Sequence, residues 1–260
     1  MGMRTATSER RRDTLRQRLA RRTKAREDGL GRLMYSLWSC HRTFRLPFPA
    51  VVGRLLRAER NARITSWRFL KRVLYCDPLF RSYCAQVGKG LHLVGAPPLV
   101  VGQGRIIIGE SVTIDAPTTF AFARISGKEA VLTVGDRSVV SCDVAIFIAS
   151  RVSIGADCII GPGTTIFDNS AHPVDPKARL TGKPMSASEI EPVAIEDNCW
   201  ISSHVRILPG VRVGQGSVVG TSSVVTRDVP PYSLAVGNPA QVVRSLNRGD
   251  LTVENGRERL

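Results

Sequence analysis

The chain has 260 residues, 43% of them hydrophobic, and a formal net charge of +15. No apolar run approaches the roughly 18 residues of a membrane span, and no apolar core with a cleavage site follows the basic N-terminus. A membrane-spanning helix and a secretory leader are therefore not expected, and a cytoplasmic location is.

The charge is unevenly placed, and it divides the chain. Residues 1–85 hold 21 Lys and Arg against 6 Asp and Glu, whereas residues 86–260 hold 16 of each, which puts a boundary near Gly88. Residues 1–48 form a basic segment, flexible or helical, with arginine-dense stretches such as RRRDTLRQRLARRTKAR. Residues 49–87 predict helix: Val52, Leu55 and Leu56, then Trp67, Leu70 and Leu74, recur at helical spacing. The remaining faces carry Arg54, Arg57, Arg60, Arg63, Arg68, Lys71 and Arg72. Such a helix suits a cap on the open end of a repeat fold, with weak contact to the inner membrane face as a second use. No nucleic-acid-binding motif accompanies the charge, so a nucleic-acid partner is not expected.

From residue 88 a period of six takes over. An aliphatic residue recurs at Ile195, Ile201, Ile207, Val213, Val219 and Val225. The same beat runs through Val134, Val140, Ile146, then Ile148, Ile154, Ile160, Ile166, with a weaker trace at Ile108, Ile114, Phe120. Neither the period of two of a strand nor the 3.6 of a helix explains it. A triangular coil does: each hexad is one flat side with its aliphatic residue pointing to the axis, and the corners are Gly, Asp, Asn and Ser. Stacked turns, about 4.8 Å apart, bury each other's interior. The β-helix is predicted over 88–244, with a C-terminal tail over 245–260.

The beat fails between Ile166 and Ile195, a gap of 29 residues that is not a multiple of six. A loop over 167–194 must leave the coil there, and long loops in compact folds are commonly functional. It contains one histidine, His172, followed by Pro173 and Asp175. A neutral imidazole can take a proton near pH 7 and return it. Asp175 is a candidate to hold the other ring nitrogen. Six cysteines (Cys40, Cys76, Cys84, Cys142, Cys158, Cys199) show no CxxC spacing and read as free thiols, those within the coil as packing residues. The four histidines, His41, His92, His172 and His204, are too scattered for a three-histidine zinc site, and no metal is expected.

The segments IFDNSAHPVDPKARLTGKP and IEDNCWISSHVRILPGVRVGQGSVVGTSSVVTRDVPPYSLAVGNPAQVV resemble the maltose/galactoside O-acetyltransferase group of the hexapeptide-repeat acyltransferases, most strongly over 134–244. The resemblance implies a left-handed parallel β-helix and a homotrimer with its active site between subunits. It implies acyl-CoA as co-substrate and a sugar or glycoside hydroxyl as acceptor. It assigns the catalytic base to His172, acceptor contacts to Trp200 and Asp143, pantetheine contacts to Ser203 and Thr221, and phosphate contacts to Arg227 and Arg244. Guanidinium groups suit phosphate. The chain departs from the pattern at Ser202 and Ser222, where many relatives have glycine, at Gln241 for a common arginine, and at Asp143 for an asparagine. These changes leave the acyl chain and the acceptor open. An amine acceptor, on an amino sugar or a drug, and a non-catalytic structural β-helix are the alternatives.

Overall fold

A computed structural model describes residues 29–43, 49–123, 129–183 and 185–246. The arginine-dense stretch over 4–28 and the tail beyond 246 lie outside the described residues. The chain divides into two compact units, Met1–Ala62 and Arg63–Leu260. The first contains helix α1 (Gly29–Thr43), with Leu33, Leu37 and Trp38 exposed. Helix α2 (Ala50–Lys71) begins in the first unit, ends in the second and buries none of its residues.

The second unit is mostly β. A π-helical turn (Arg72–Cys76) and helix α3 (Asp77–Tyr83) seat Cys76 and Phe80 in its core. The Phe80 ring lies 6.2 Å from that of Phe120, and the Cys76 thiol donates to the Gly95 carbonyl.

The strands then follow turn by turn. The first turn is β1 (Gln86–Val87), β2 (His92–Val94) and β3 (Leu99–Val101). The second is β4 (Arg105–Ile108), β5 (Thr113–Asp115) and β6 (Thr118–Phe122). The third is β7 (Val131–Val134), β8 (Val139–Val140) and β9 (Val144–Ile148), and the fourth is β10 (Arg151–Ile154), β11 (Ile159–Ile160) and β12 (Thr165–Phe167). A long excursion follows, containing the short helix α4 (Pro176–Leu180) and a 3₁₀ turn (Ala187–Glu189). The fifth turn is β13 (Val193–Ile195), β14 (Trp200–Ile201) and β15 (Arg206–Ile207); the sixth is β16 (Arg212–Val213), β17 (Val218–Val219) and β18 (Val224–Val225). Strand β19 (Ser233–Gly237) continues the stack, and β20 (Ala240–Ser245) folds back antiparallel on it.

Every third strand pairs in parallel, which makes three sheets and a triangular prism. Sheet I is β1-β4-β7-β10-β13-β16, sheet II is β2-β5-β8-β11-β14-β17-β19-β20, and sheet III is β3-β6-β9-β12-β15-β18. All the aliphatic positions of the six-residue beat are buried in the axial core, including the weaker trace at Ile108, Ile114 and Phe120. The beat slips by two at Ile146–Ile148 because β9 is longer and has three inward residues, Val144, Ile146 and Ile148.

Corner chemistry sets the turns. At the edge between sheets I and II, Ser111, Arg137, Asp157, Asn198 and Tyr232 take φ values of +52° to +59°. Each N–H there donates to a carbonyl of the turn before, as Asp157 does to Asp136 at 2.8 Å. Within the core beside this edge, Ser138, Cys158, Cys199 and Ser217 form a column whose side chains reach carbonyls of neighbouring turns. The hydrogen bond with Cys158, together with burial, pushes the Cys199 thiol well up, so it is held as a thiol. Burial likewise pushes the Cys84 thiol up to about 12, with nearby Arg81 opposing it only in part.

Candidate functional site

Two edges of the prism carry the residues singled out in the sequence. The first is the edge between sheets II and III. Asp143, Gly163, His204 and Ser222 occupy its corner in four successive turns, all with φ between +58° and +72°. Their N–H groups donate to the turn below: Asp143 to Pro117, Gly163 to Cys142, His204 to Pro162 and Ser222 to Ser203, at 2.5–3.1 Å. This ladder stacks Ser203 against the Thr221–Ser222 corner and puts Asp143 on the same edge, two turns before Ser203. Ser222 adopts the left-handed conformation that glycine would take more easily.

On the outer face of sheet II, Trp200 is 51% exposed. Its strand neighbours are Ile159 in the turn before and Val218 in the turn after, which makes an open apolar stripe beside the Ser203–Thr221 corner. Arg244 stands on β20 opposite Leu234, also in sheet II, and is exposed.

The second edge lies between sheets III and I, where the excursion leaves after β12 and returns at β13. Asp168, the first residue out, has no solvent exposure. Its two carboxylate oxygens accept the backbone N–H groups of Ala149 and Ser150, each at 2.7 Å, and one accepts the Asn169 amide, also at 2.7 Å. Asn169 in turn reaches the Phe147 carbonyl, accepts from Ala171 N–H and bridges to Ile190 on the loop's returning limb, just before β13. Side chains thus add to the last backbone hydrogen bonds at the base of the loop, where Asp168 N–H donates to the Phe147 carbonyl and Glu191 N–H to the Asp168 carbonyl.

His172 sits three residues beyond this anchor, exposed, with its backbone carbonyl accepting from Ser170 Oγ at 2.7 Å. Its ring makes no hydrogen bond among the described residues. Asp175, the candidate to hold that ring, instead caps α4 by accepting from Lys177 and Ala178 N–H. Glu189 closes the loop from its far side: its carboxylate accepts from Val174 N–H and from the Ser186 N–H and hydroxyl. The Val174 contact, then those to Ser186, hold its carboxyl below the usual range.

Arg227 follows β18 at this same edge, exposed, beside Asp228, whose carboxylate accepts the Arg212 N–H. One chain therefore groups Asp143, Trp200, Ser203, Thr221 and Arg244 on and around sheet II, and His172 and Arg227 at the opposite margin of sheet III. Sequence reasoning missed Asp168, Asn169 and Glu189. The signal available was an Asp-Asn pair directly at the point where the six-residue beat stops. Among the described residues no group of three or more His, Cys, Asp or Glu side chains is arranged to hold a metal ion.

A family model, bacterial transferase hexapeptide (six repeats), matches residues 192–227. A Schizosaccharomyces pombe protein named as a candidate acetyltransferase is 42% identical over 104 residues, which is 40% of this chain and 45% of that one. The chain thus spans less than half the length of that relative. The galactoside O-acetyltransferase of Lactococcus lactis is 34% identical over 152 residues, 58% of this chain and 69% of that one. Among solved structures, a point mutant of the Bacillus cereus N-acyltransferase AntD, in complex with dTDP-4-amino-4,6-dideoxyglucose and coenzyme A, superposes with a TM-score of 0.54. At 20% identity, over 66% of this chain and 89% of that one, it speaks for the fold alone. On the extent of the Lactococcus match and on the repeat itself, the chain belongs to the hexapeptide-repeat acetyltransferase family, whose left-handed parallel β-helix is the prism described above.

Proposed function

We propose that the protein transfers an acetyl or longer acyl group from acyl-CoA to a hydroxyl of a sugar or glycoside, with His172 as general base. The observation that carries this reading is the anchored loop. Asp168 and Glu189 clamp its two sides and leave the His172 ring exposed and without a hydrogen-bond partner among the described residues. A ring held this way is free to accept the acceptor's proton and to return it to the departing sulfur.

The residues on and around sheet II, with Arg227 from the loop's edge, suit the donor. Ser203 and Thr221 offer hydroxyls to the pantetheine arm, and the exposed Trp200 ring beside them, flanked by Ile159 and Val218, offers an apolar face to the acceptor. Arg227 and Arg244 are exposed guanidinium groups suited to phosphates. Acyl-CoA supplies the activated thioester. Asp143, at the far end of the same edge, is placed to accept hydrogen bonds from acceptor hydroxyls.

His172 and Trp200 lie on different margins of one prism, which supports a site formed between copies. A cyclic homotrimer joins one subunit's loop to the next subunit's sheet II by a head-to-tail contact.

The test is thiol release from acetyl-, butyryl- and octanoyl-CoA in the presence of a panel of sugars and amino sugars. His172→Ala should lower kcat by about 10²–10⁴-fold. Turnover by wild type that His172→Ala leaves unchanged, or no turnover with any donor, would sink the assignment. Turnover confined to amino sugars would move it to N-acylation.

A further inference from the structure

Helix α2 presents an amphipathic surface that the catalytic reading does not use. At about 100° per residue, Val51, Leu55, Leu56, Trp67, Phe69 and Leu70 fall within an arc about 160° wide. Each of them is between 48 and 65% exposed. Arg54, Arg57, Arg60, Arg68 and Lys71 occupy the adjoining arc of about 120°. Glu59 and Arg63, one turn apart, are the charged residues within the apolar arc. From Ala50 to Cys76, seven Lys and Arg stand against Glu59 alone.

The charge selects among occupants. A second copy of the helix packed on the apolar arc would bring two strongly basic arcs within about a Debye length of 8–10 Å. A nucleic acid would engage the arginines but leave Trp67, Phe69 and Leu55 in water. An anionic bilayer surface meets both faces at once. Apolar side chains enter the boundary between headgroups and acyl chains, while long basic side chains reach up to lipid phosphates. No helix among the described residues is long and apolar enough to cross a membrane, so contact is at the surface.

We propose that α2 docks the protein on an anionic lipid surface, lying in the plane of the interface. The inference holds whatever the acyl acceptor is. It is tested by flotation of the full-length protein with phosphatidylcholine vesicles, with and without phosphatidylglycerol, at low and high salt. Wild type should float with the anionic vesicles and be released by salt. Arg57→Glu with Lys71→Glu should cut the bound fraction at least tenfold. Leu55→Ser with Trp67→Ser, which leaves the charge untouched, should do the same. Circular dichroism and light scattering check that each double variant keeps its fold and its assembly state. Variants that float like wild type would overturn the proposal, as would wild type that ignores anionic vesicles at low salt. A serine variant that falls to a smaller assembly would instead make the face a contact between copies.

Discussion

Asp168 is a carboxylate taken wholly out of water, and it stays there because three N–H donors converge on it. Burying a charge without such partners would cost several kcal/mol. Asp168→Ala leaves the Ala149 and Ser150 N–H groups unpaired, at about 1–3 kcal/mol each. We expect urea denaturation to show a loss of about 2–6 kcal/mol. In the thiol-release assay kcat should fall by a larger factor than KM for acyl-CoA rises, because of the proposed donor contacts only Arg227 lies at this edge, whereas Ser203, Thr221 and Arg244 lie on and around sheet II. A rise in KM with kcat preserved would mean that Asp168 does not position His172. Gly161 poses the opposite demand, for the absence of a side chain. A Cβ there would lie 2.6 Å from the Ser202 carbonyl carbon and 2.8 Å from its oxygen. Backbone cannot swing aside as a side chain can, so Gly161→Ala should destabilise by roughly 2 kcal/mol or more in the same measurement.

As an element, the His172 loop is held by polar clips, not by an apolar core. Glu189 joins its two limbs, and its carboxyl is depressed by the N–H groups it accepts. A depressed folded value means that the clip is at full strength above the ordinary glutamate pKa of about 4.3 and is lost as pH falls through the folded value. Amide hydrogen exchange over 170–190 should therefore be insensitive to pH down to about 5, after correction for intrinsic rates, and should accelerate below about 4. Glu189→Gln should show the loosened pattern already at neutral pH. Loop exchange in that variant identical to wild type would show that the clip contributes nothing. The sheets need no such devices, since each turn pairs with the next along all three sides.

At the scale of the molecule, the prism behaves as a stack in which each turn is the floor of its neighbour. Ile146, fully buried between Phe120 and Ile166 in adjacent turns, should cost about 2–5 kcal/mol when truncated to Ala. The proposed assembly makes a sharper prediction. His172→Ala and Trp200→Ala should each be nearly inactive. Co-refolded in equal amounts, they should recover activity up to about a quarter of wild type, because randomly mixed trimers pair an intact loop with an intact sheet II at that frequency. No recovery in mixtures shown by native mass spectrometry to be mixed trimers would place the whole site within one subunit.

Much of this was legible before any coordinates. A period of six admits few structures besides a triangular coil, so the inward positions from Ile108 to Val225, the interruption after Ile166 and the loop with His172 could be read from spacing alone. The family followed from contiguous segments. The loop's anchor was not legible, because Asp168, Ala149 and Ser150 are brought together by turn stacking and not by sequence spacing. Asp175 looked like the partner of His172 by proximity, yet the start of α4 claimed its carboxylate as a cap. The division of the candidate site residues between two edges was equally hidden. A repeat records which residues face inward, since that is a local alternation, but which edge each corner joins depends on how many residues every preceding side consumes, and only the folded coil settles that count.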